Sequence, residues 1–312
     1  MVLNRVGLTG ATGMLGRHVR AALEAAGAQV VATSRKSTPA NDVFSWDLND
    51  WRSLAELDAL FKDVQAVIHV GAMVPRKSEE IDEALMFNAN VRSCINLGQW
   101  AISRDTPVVH VSGAVVYEDQ DNQGQNENAV LGWSRLGGFY GFSKLLAEDV
   151  LKRLCLQGLK LAVVRPSSIY GFGLPDEKML SSFLATAKEG ETITLAPPIH
   201  DRIDFIHAAD VSLAILSILK AEIWDTFNVA SGCSISIKEL AEACVSLTGC
   251  GSIVTEEKQF QVRKPITRFS LDTGRAKNRL GWQPLLDINQ GLNMMLEKSL
   301  YSSVDQSNQF KN

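Results

Sequence analysis

The stretch Val2-Leu-Asn-Arg-Val-Gly-Leu-Thr-Gly10-Ala-Thr-Gly13-Met-Leu-Gly16 decides the fold of this chain. Its apolar first half predicts a buried strand over Val2–Thr9, and the residues after the glycines predict a helix that runs to Ala26 and ends at Gly27. Glycines at this junction allow a tight turn, a close approach of backbone amides to a pyrophosphate, and close packing of helix on strand. The helix N-terminus adds N–H donors and partial positive charge. We therefore predict a dinucleotide site here; a plain strand–helix turn is the alternative.

Further apolar runs alternate with helical stretches along the first half of the chain. They predict strands at Gln29–Thr33, Ala66–Val70, Pro107–Ser112 and Leu159–Arg165. Strands that alternate with helices form right-handed crossovers and a parallel sheet. The predicted fold is α/β, a Rossmann-type doubly wound parallel sheet with a smaller mixed α/β C-terminal domain.

The second half of the chain is less regular, and it suggests the domain boundaries. Proline and glycine punctuate the segment from 166 to 198, after which a strand (204–207), a helix (210–221) and a short strand (227–229) follow. We assign 1–165 plus about 204–230 to the dinucleotide-binding domain. The segments of about 166–203 and 231–312 are assigned to a substrate-binding domain.

Composition excludes several classes of partner. The chain has 312 residues, 31 basic and 35 acidic side chains and a net charge of −4, so nothing indicates binding to nucleic acid or to an anionic membrane. No apolar run approaches the roughly 20 residues that cross a bilayer, and the N-terminus lacks the features of a signal peptide. The five cysteines show no metal-ligand spacing. We expect a cytoplasmic enzyme with reduced thiols and no metal.

The residues after the second strand indicate the type of dinucleotide. NAD-binding proteins usually place a carboxylate there for the ribose 2′-hydroxyl, whereas this chain has Arg35 and Lys36 and no acid. Two cations suit a 2′-phosphate, so NADP is favoured, with NAD as the alternative; the same cations could instead be solvated surface charges. Asp47 and Leu48 follow the next apolar run and are candidate adenine contacts.

Tyr140 and Lys144 are the strongest chemical signal. They are four residues apart in a predicted helix that starts near Phe139, so they share one face. A tyrosine is a weak acid or base at neutral pH because its reference pKa is about 10, and a nearby ammonium stabilises the phenolate. The pair is therefore suited to proton transfer to or from a substrate oxygen, accompanying hydride transfer.

Together these motifs resemble the extended short-chain dehydrogenase/reductase family, in its NAD(P)-dependent epimerase/dehydratase branch. The resemblance spans nearly the whole chain. It is carried by the glycine turn, Val67-Ile-His-Val-Gly-Ala72, Asn90-Val-Arg-Ser93, Val109-His-Val-Ser-Gly-Ala-Val-Val-Tyr117, Tyr140/Lys144, Arg165-Pro-Ser-Ser-Ile-Tyr-Gly171, Asp204-Phe-Ile-His-Ala-Ala-Asp210, Phe227-Asn-Val-Ala-Ser-Gly232 and Ala276-Lys-Asn-Arg-Leu-Gly-Trp-Gln-Pro284.

The resemblance implies a set of site residues and a possible assembly. Besides the residues after the second strand and the catalytic pair, the implied cofactor contacts are Gly10, Thr12, Gly13, Met14, Leu15, Gly16, Gly71, Ala72, Met73, Asn90, Val111, Pro166, Ser167 and Ile169. It also implies a homodimer built on a four-helix bundle that includes the Tyr140 helix.

One position departs from the family pattern. The family usually has Ser or Thr four residues before the tyrosine at position 117, where this chain has Gly113. Ser112 is adjacent, but adjacent side chains on a regular strand face opposite ways. Three interpretations follow: Ser112 substitutes as a third catalytic residue, which we favour; the Tyr140/Lys144 pair works with a water; or the enzyme is slow.

The resemblance also implies a nucleotide-sugar substrate. Its diphosphate would be held by arginines, for which Arg202 and Arg263 are the candidates and Arg268 a further one, although each could equally be a surface arginine. Arg202 is offset by one residue from the family's pattern. NADP suits a net reduction, so we favour a 4-ketoreductase over an epimerase. The alternatives are an NADPH-dependent reductase of an aldehyde, flavonoid-like ketone or sterol, and a catalytically degenerate binding or sensor protein.

Overall fold

The computed structural model describes residues 3–37, 42–75, 80, 82–119, 121–133, 137–196, 198–256 and 268–300. The strands are β1 (Arg5–Thr9), β2 (Gln29–Ser34), β3 (Val43–Ser45), β4 (Val67–His69), β5 (Val108–Val111), β6 (Leu161–Pro166), β7 (Ser168–Tyr170), β8 (Thr192–Leu195), β9 (Arg202–His207), β10 (Thr226–Val229), β11 (Ser234–Ser236) and β12 (Ser252–Thr255). The helices are α1 (Met14–Ala25), α2 (Leu54–Phe61), α3 (Glu83–Phe87), α4 (Ser93–Ser103), α5 (Gly138–Cys155), α6 (Met179–Lys188), α7 (Ala208–Ala221), α8 (Ile237–Thr248), α9 (Gly274–Leu280) and α10 (Ile288–Leu296).

Seven parallel strands form the central sheet, which confirms the predicted fold class. Their order is β10-β6-β5-β4-β1-β2-β3. The chain runs outward from β1 in one direction through β2 and β3, and in the other through β4, β5 and β6. The order therefore switches between β1 and β4, and in open α/β sheets ligands bind at the carboxyl ends of the strands at such a point.

Helices cover both faces of this sheet. On one face α1 packs against α7, and the buried cluster beneath them includes Val19, Leu23 and Ile215. On the other face α2, α4 and α5 bury a second cluster that includes Phe61 and Trp100. Burial on both faces explains why the strand sequences are continuous apolar runs.

The smaller part of the molecule contains two short sheets. One has the order β11-β9-β7, and the other pairs β12 with β8. The strand predicted at 204–207 forms, but it pairs with β7 and β11 and not with the central sheet. Helices α6 and α8 pack on each other over a core of Leu180, Leu184 and Leu240. No helix among the described segments combines the length and apolarity needed to cross a membrane.

His207, at the start of α7, is expected to make the stability depend on pH. Burial, with His18 adding to it, lowers the pKa of His207 to about 3. The unfolded imidazole titrates near 6.5, so the stability given by neutral His207 is complete above that pH and is lost as the pH falls toward 3. The His207 side chain accepts the Ala209 N–H, and an asparagine can do the same without titrating.

From pH 6.5 to 5, the unfolding free energy of the unmodified chain should therefore fall by about 2 kcal/mol more than that of His207→Asn. Urea unfolding at both pH values measures the difference. If the unfolding free energies of the two proteins fall equally between these pH values, His207 is not the source of the pH dependence.

Candidate active site

The glycine turn lies where the strand order switches. Gly10 follows β1 with φ +67°, and a Cβ built on it would lie 2.6 Å from the Cα of Gly71, which follows β4. A Cβ on Gly16 would lie 2.1 Å from the Gly10 carbonyl oxygen. Gly13 caps α1 without a side-chain hydrogen bond, and the first turn of the helix contains no acidic residue. The turn therefore has a compact backbone, and the first N–H groups of α1 have no side-chain cap, as binding of a pyrophosphate requires.

The segments after β2 and β3 lie next to this turn. The side chains of Arg35 and Lys36 are exposed directly after β2. Leu48 lies at the crevice formed by the carboxyl ends of the strands at the switch point. Its Cδ1 approaches the loop after β4, where it would lie 2.8 Å from a Cβ built on Gly71. The Asp47 carboxylate accepts hydrogen bonds from the backbone and side chain of Asn49. These positions fit the adenosine end of a dinucleotide.

Helix α5 carries Tyr140 and Lys144 one turn apart, as the sequence predicted. Lys144 is buried, and its Nζ donates a 2.6 Å hydrogen bond to the carbonyl oxygen of Val111 at the end of β5. Burial lowers the pKa of Lys144 and raises the pKa of the half-buried Tyr140 to about 12. Tyr140 is therefore a protonated phenol at neutral pH, able to donate a proton.

Asn90 connects the loop after β4 with the catalytic helix. It lies in a π-helical turn, Asn88–Arg92, and its Oδ1 accepts the Met73 N–H at 2.7 Å. Its Nδ2 donates to the Met73 carbonyl at 3.0 Å and to Ser143 Oγ at 2.9 Å, and Ser143 Oγ donates to the Tyr140 carbonyl at 2.8 Å. Both N–H donors of Asn90 are thus used within the protein, which makes it a positioning residue. The sequence predicted Asn90 and Met73 but not Ser143.

Ser112 and Gly113 differ in what they offer. Gly113 has φ 177°, an extended conformation open to any residue, and a Cβ there would meet only Val115 Cγ2 at 3.7 Å. Ser112 is buried, and its Oγ makes no hydrogen bond of normal geometry to any described residue. The Ser112 side chain lies close to the carboxylate of Glu148, and it helps to lower the pKa of that group. The catalytic role of Ser112 and the alternative role of a water therefore both stay predictions.

A buried ion pair, missed by sequence reasoning, fixes the catalytic helix to the sheet. Arg165 of β6 donates from Nε and Nη2 to the two carboxylate oxygens of Glu148, at 3.0 and 2.6 Å. Burial alone would raise the pKa of Glu148, but Arg165, Lys152 and Ser112 outweigh it and lower the pKa. Arg165 also donates to the Tyr117 hydroxyl at 3.1 Å. Glu148 lies one turn after Lys144, so this pair sets the position of the turn that carries the lysine.

The candidate nicotinamide contacts at the end of β6 and in β7 connect the central sheet to the β11-β9-β7 sheet. Pro166 is the last residue of β6 and pairs with Val229. Ser167 Oγ donates to Asp204 Oδ1 at 3.1 Å, and Ile169 of β7 pairs with Ile206. The segment is thereby tied to both sheets.

Three buried potential metal ligands come together beneath Lys144. Atoms of His69, Cys94 and His110 lie within 4.8 Å of one another, although the spacing of the cysteines along the chain indicates no metal site. The two imidazole rings stack at 5.6 Å with an interplanar angle of 26°. Both ring nitrogens of His69 lie within hydrogen-bond distance of hydroxyl groups, Nδ1 at 2.8 Å from Thr9 Oγ1 and Nε2 at 3.5 Å from Ser93 Oγ, and the Lys144 ammonium repels cations. Burial lowers the pKa of His69 to about 3, so its ring is neutral.

The model of the family described as "NAD dependent epimerase/dehydratase family" matches residues 6–230, which include the glycine turn, Tyr140 and Lys144. The chain belongs to this family. The NAD dependence in that description agrees with the glycine turn at the switch point of the sheet.

Relatives in this family include nucleotide-sugar enzymes. The chain is 25% identical over 269 residues to a dTDP-4-dehydro-6-deoxy-D-allose reductase from Streptomyces sp, covering 78% of this chain and 80% of the relative. It is 25% identical over 303 residues to a putative UDP-glucose 4-epimerase from Methanocaldococcus jannaschii, covering 91% and 95%. The crystal structure of UDP-N-acetylglucosamine 4-epimerase from Bacillus cereus has the same fold, with a TM-score of 0.81 and 21% identity over 96% of this chain and 100% of that one.

The candidate substrate arginines of this family member differ in their surroundings. Arg202 forms a 2.9 Å ion pair with Glu239 and donates to the Ser234 carbonyl at 2.6 Å. With Arg268 it lines a cavity of about 550 Å³ that also includes His200, Ser236 and Lys238. Arg202 must therefore leave Glu239 before its guanidinium can bind a phosphate with both Nη groups. Arg263 lies outside the described residues.

Proposed function

We propose that this chain is an NADP(H)-dependent oxidoreductase that reduces the 4-keto group of a nucleotide-sugar. One observation carries the proposal: a continuous series of contacts joins the glycine turn to the catalytic helix. Gly10 abuts Gly71, the loop that follows bonds to Asn90 through Met73, and Asn90 bonds to Ser143 between Tyr140 and Lys144. These contacts would thus hold a cofactor in the crevice and a proton donor on α5 at a fixed distance from each other.

The chain's own residues supply the proton chemistry of the proposed reaction. The bound nicotinamide would supply the hydride. Burial raises the pKa of Tyr140 to about 12, so the phenol is protonated at neutral pH and can donate a hydrogen bond to a substrate carbonyl oxygen. Hydride addition would convert that carbonyl into an alkoxide, which is basic enough to take the proton. Lys144 lies one turn away on the same helix, with its Nζ held by the Val111 carbonyl oxygen, and in this structure it does not lower the pKa of Tyr140. An ammonium that approaches the phenolate during the reaction would stabilise it. The missing hydroxyl at Gly113 leaves space beside the strand end that a water can fill.

We infer the class of substrate from the similar proteins, and we infer the direction of the reaction from the type of cofactor. The similar proteins include a dTDP-4-dehydro-6-deoxy-D-allose reductase and a putative UDP-glucose 4-epimerase, which supports a nucleotide-sugar substrate. An epimerase recycles a bound cofactor, whereas a reductase exchanges NADPH for NADP. The exposed Arg35 and Lys36 and the absent carboxylate after β2 support the second scheme.

Replacement of Arg35 by alanine is expected to separate the two dinucleotides. Arginine forms paired, charge-assisted hydrogen bonds with phosphate, so its loss should weaken NADPH binding by about tenfold to a hundredfold. NADH has no 2′-phosphate, and its affinity should change by less than about twofold. Fluorescence titration of both cofactors measures this. If Arg35→Ala weakens the binding of NADPH and NADH equally, or changes neither affinity, Arg35 does not determine a preference for NADP.

Replacement of Gly113 by serine is expected to raise kcat several-fold. The extended backbone and the 3.7 Å clearance to Val115 accommodate the side chain, and its hydroxyl adds a donor near the strand end. Gly113→Ala is the matched control, because it adds the Cβ without the hydroxyl. If the serine variant is no faster than the alanine variant, a hydroxyl at this position has no role; Ser112→Ala, expected to leave kcat unchanged, tests the neighbouring residue.

A direct assay tests the proposed function. Purified enzyme is mixed with NADPH and a dTDP- or UDP-linked 4-keto-sugar, and the absorbance at 340 nm is followed. The proposal predicts one NADPH oxidised for each 4-hydroxy sugar formed. Interconversion of two sugar epimers without added cofactor would establish an epimerase instead. Activity restricted to apolar ketones or aldehydes would overturn the nucleotide-sugar assignment.

A further inference from the structure

Arg17 lies beside the glycine turn, on the first turn of α1. Helical side chains lean toward the N-terminus of their helix, and Arg17 follows this rule: its Nε donates a 2.9 Å hydrogen bond to the carbonyl oxygen of Thr12. The guanidinium therefore extends past the start of α1 and along the turn. Arg17 is exposed, and within the described part of the chain it has no acidic partner.

A loop from the other sheet passes over the same place. Gly173 follows β7 and has φ +93°, a conformation that favours glycine. A Cβ on Gly173 would lie 3.6 Å from Arg17 Nη1 and 3.8 Å from Met14 Cα. The guanidinium thus occupies the gap between the glycine turn and the loop of residues 171–173, with its Nη groups left for a ligand.

No acidic side chain in the first turn of α1 neutralises the positive charge of Arg17. Gly13 provides no side-chain cap, and the first turn of α1 has no aspartate or glutamate. The partial positive charge of the helix N-terminus therefore adds to the charge of the guanidinium. Such a place suits an anion that can accept several hydrogen bonds.

We propose that Arg17 binds the pyrophosphate of the dinucleotide, with its Nη groups on the phosphate oxygens and its Nε held by Thr12. This inference rests on the proposed dinucleotide site but not on the proposed reaction. It gives the turn a side-chain contact in addition to its backbone N–H groups, on the side covered by Gly173. If Arg17 only tethers the turn through Thr12, it has no effect specific to pyrophosphate.

The matched variants are Arg17→Gln and Arg20→Gln. Arg20 lies on the next part of the same helix and forms an ion pair with Glu24 at 2.7 Å, so its replacement removes the same charge away from the turn. Arg17→Lys keeps the charge but removes the planar, paired donors, and it should be intermediate. Thermal unfolding checks that all three variants fold.

Calorimetric titration with two ligands provides the test. One ligand is 2′-phospho-ADP-ribose, which contains the pyrophosphate; the other is 2′-AMP, which does not. Arg17→Gln should weaken the first by about tenfold to a hundredfold and the second by less than about twofold, with Arg20→Gln leaving both unchanged. Equal weakening of both ligands, or no weakening of the first, would overturn the proposal. If the unmodified protein binds neither ligand, the comparison is repeated with ADP-ribose and AMP, which lack the 2′-phosphate; failure of these as well would show that the dinucleotide site itself is wrong. None of the four ligands contains nicotinamide or a sugar substrate, so failure of the proposed reaction would leave this result intact.

Discussion

Replacement of Tyr140 by phenylalanine is expected to lower kcat by about a thousandfold. The change removes one hydroxyl that donates the proton in the proposed reaction, and loss of a general acid typically costs between about a hundredfold and ten-thousandfold. Tyr140 is half-buried at the surface of the crevice, and its raised pKa comes from burial. Its loss should therefore leave the fold and the dinucleotide affinity nearly unchanged. Steady-state kinetics with NADPH, together with fluorescence titration, measures both.

Tyr117→Phe is the matched control for this prediction. Tyr117 is fully buried, and its hydroxyl donates to Asn228 Oδ1 at 2.6 Å and accepts from Arg165. Removing that hydroxyl should lower the unfolding free energy by about 1–3 kcal/mol, because Arg165 and Asn228 lose a buried partner. It should change kcat far less than Tyr140→Phe does. Similar kcat values for the two variants would remove Tyr140 from its proposed role.

Replacement of Gly16 by alanine is expected to lower dinucleotide affinity by more than about a hundredfold. The added Cβ would lie 2.1 Å from the Gly10 carbonyl oxygen and 2.9 Å from the Ala11 Cα. Both are backbone atoms, so the turn itself must move, and the N–H groups of the turn then leave the positions that a pyrophosphate requires. Equilibrium titration with NADPH and thermal unfolding separate lost affinity from lost fold.

Gly113→Ala is the control for the glycine turn. It also adds one methyl group to a glycine at the crevice, but its Cβ meets only a side-chain carbon at 3.7 Å. We expect its dinucleotide affinity to stay within about twofold of that of the unmodified chain. If Gly16→Ala binds NADPH as well as Gly113→Ala does, the close packing at Gly16 is not what forms the site.

The strongly periodic parts of the fold could be predicted from the sequence. The strands of the central sheet that are buried on both faces are continuous apolar runs, and the helix with Tyr140 and Lys144 shows its 3.6-residue pattern over eighteen residues. The glycine turn was evident because three glycines stand at a strand–helix junction. These features depend on local sequence, which is why they were found with nearly correct bounds.

Contacts between distant segments could not be predicted. The Asn90–Ser143 bond spans 53 residues, and the ion pair of Glu148 with Arg165 joins a helix to the following strand. Nothing in local periodicity specifies such partners. Three-residue strands such as Val43–Ser45 are likewise too short for a pattern. The ion pair between Arg202 and Glu239 also depends on tertiary structure. The one-residue offset of Arg202 from the family pattern indicates, however, that its surroundings differ from those of the family's usual arginine.

In the proposed reaction, a nicotinamide dinucleotide reduces a 4-keto-sugar in this crevice, with Tyr140 as the proton donor. The most direct measurement uses NADPH dideuterated at nicotinamide C4 with a dTDP-linked 4-keto-sugar, followed by NMR of the product. We expect deuterium on C4 of the sugar with the unmodified chain and almost no labelled product with Tyr140→Phe. A 4-hydroxy product without deuterium, or consumption of the sugar without oxidation of NADPH, would contradict it.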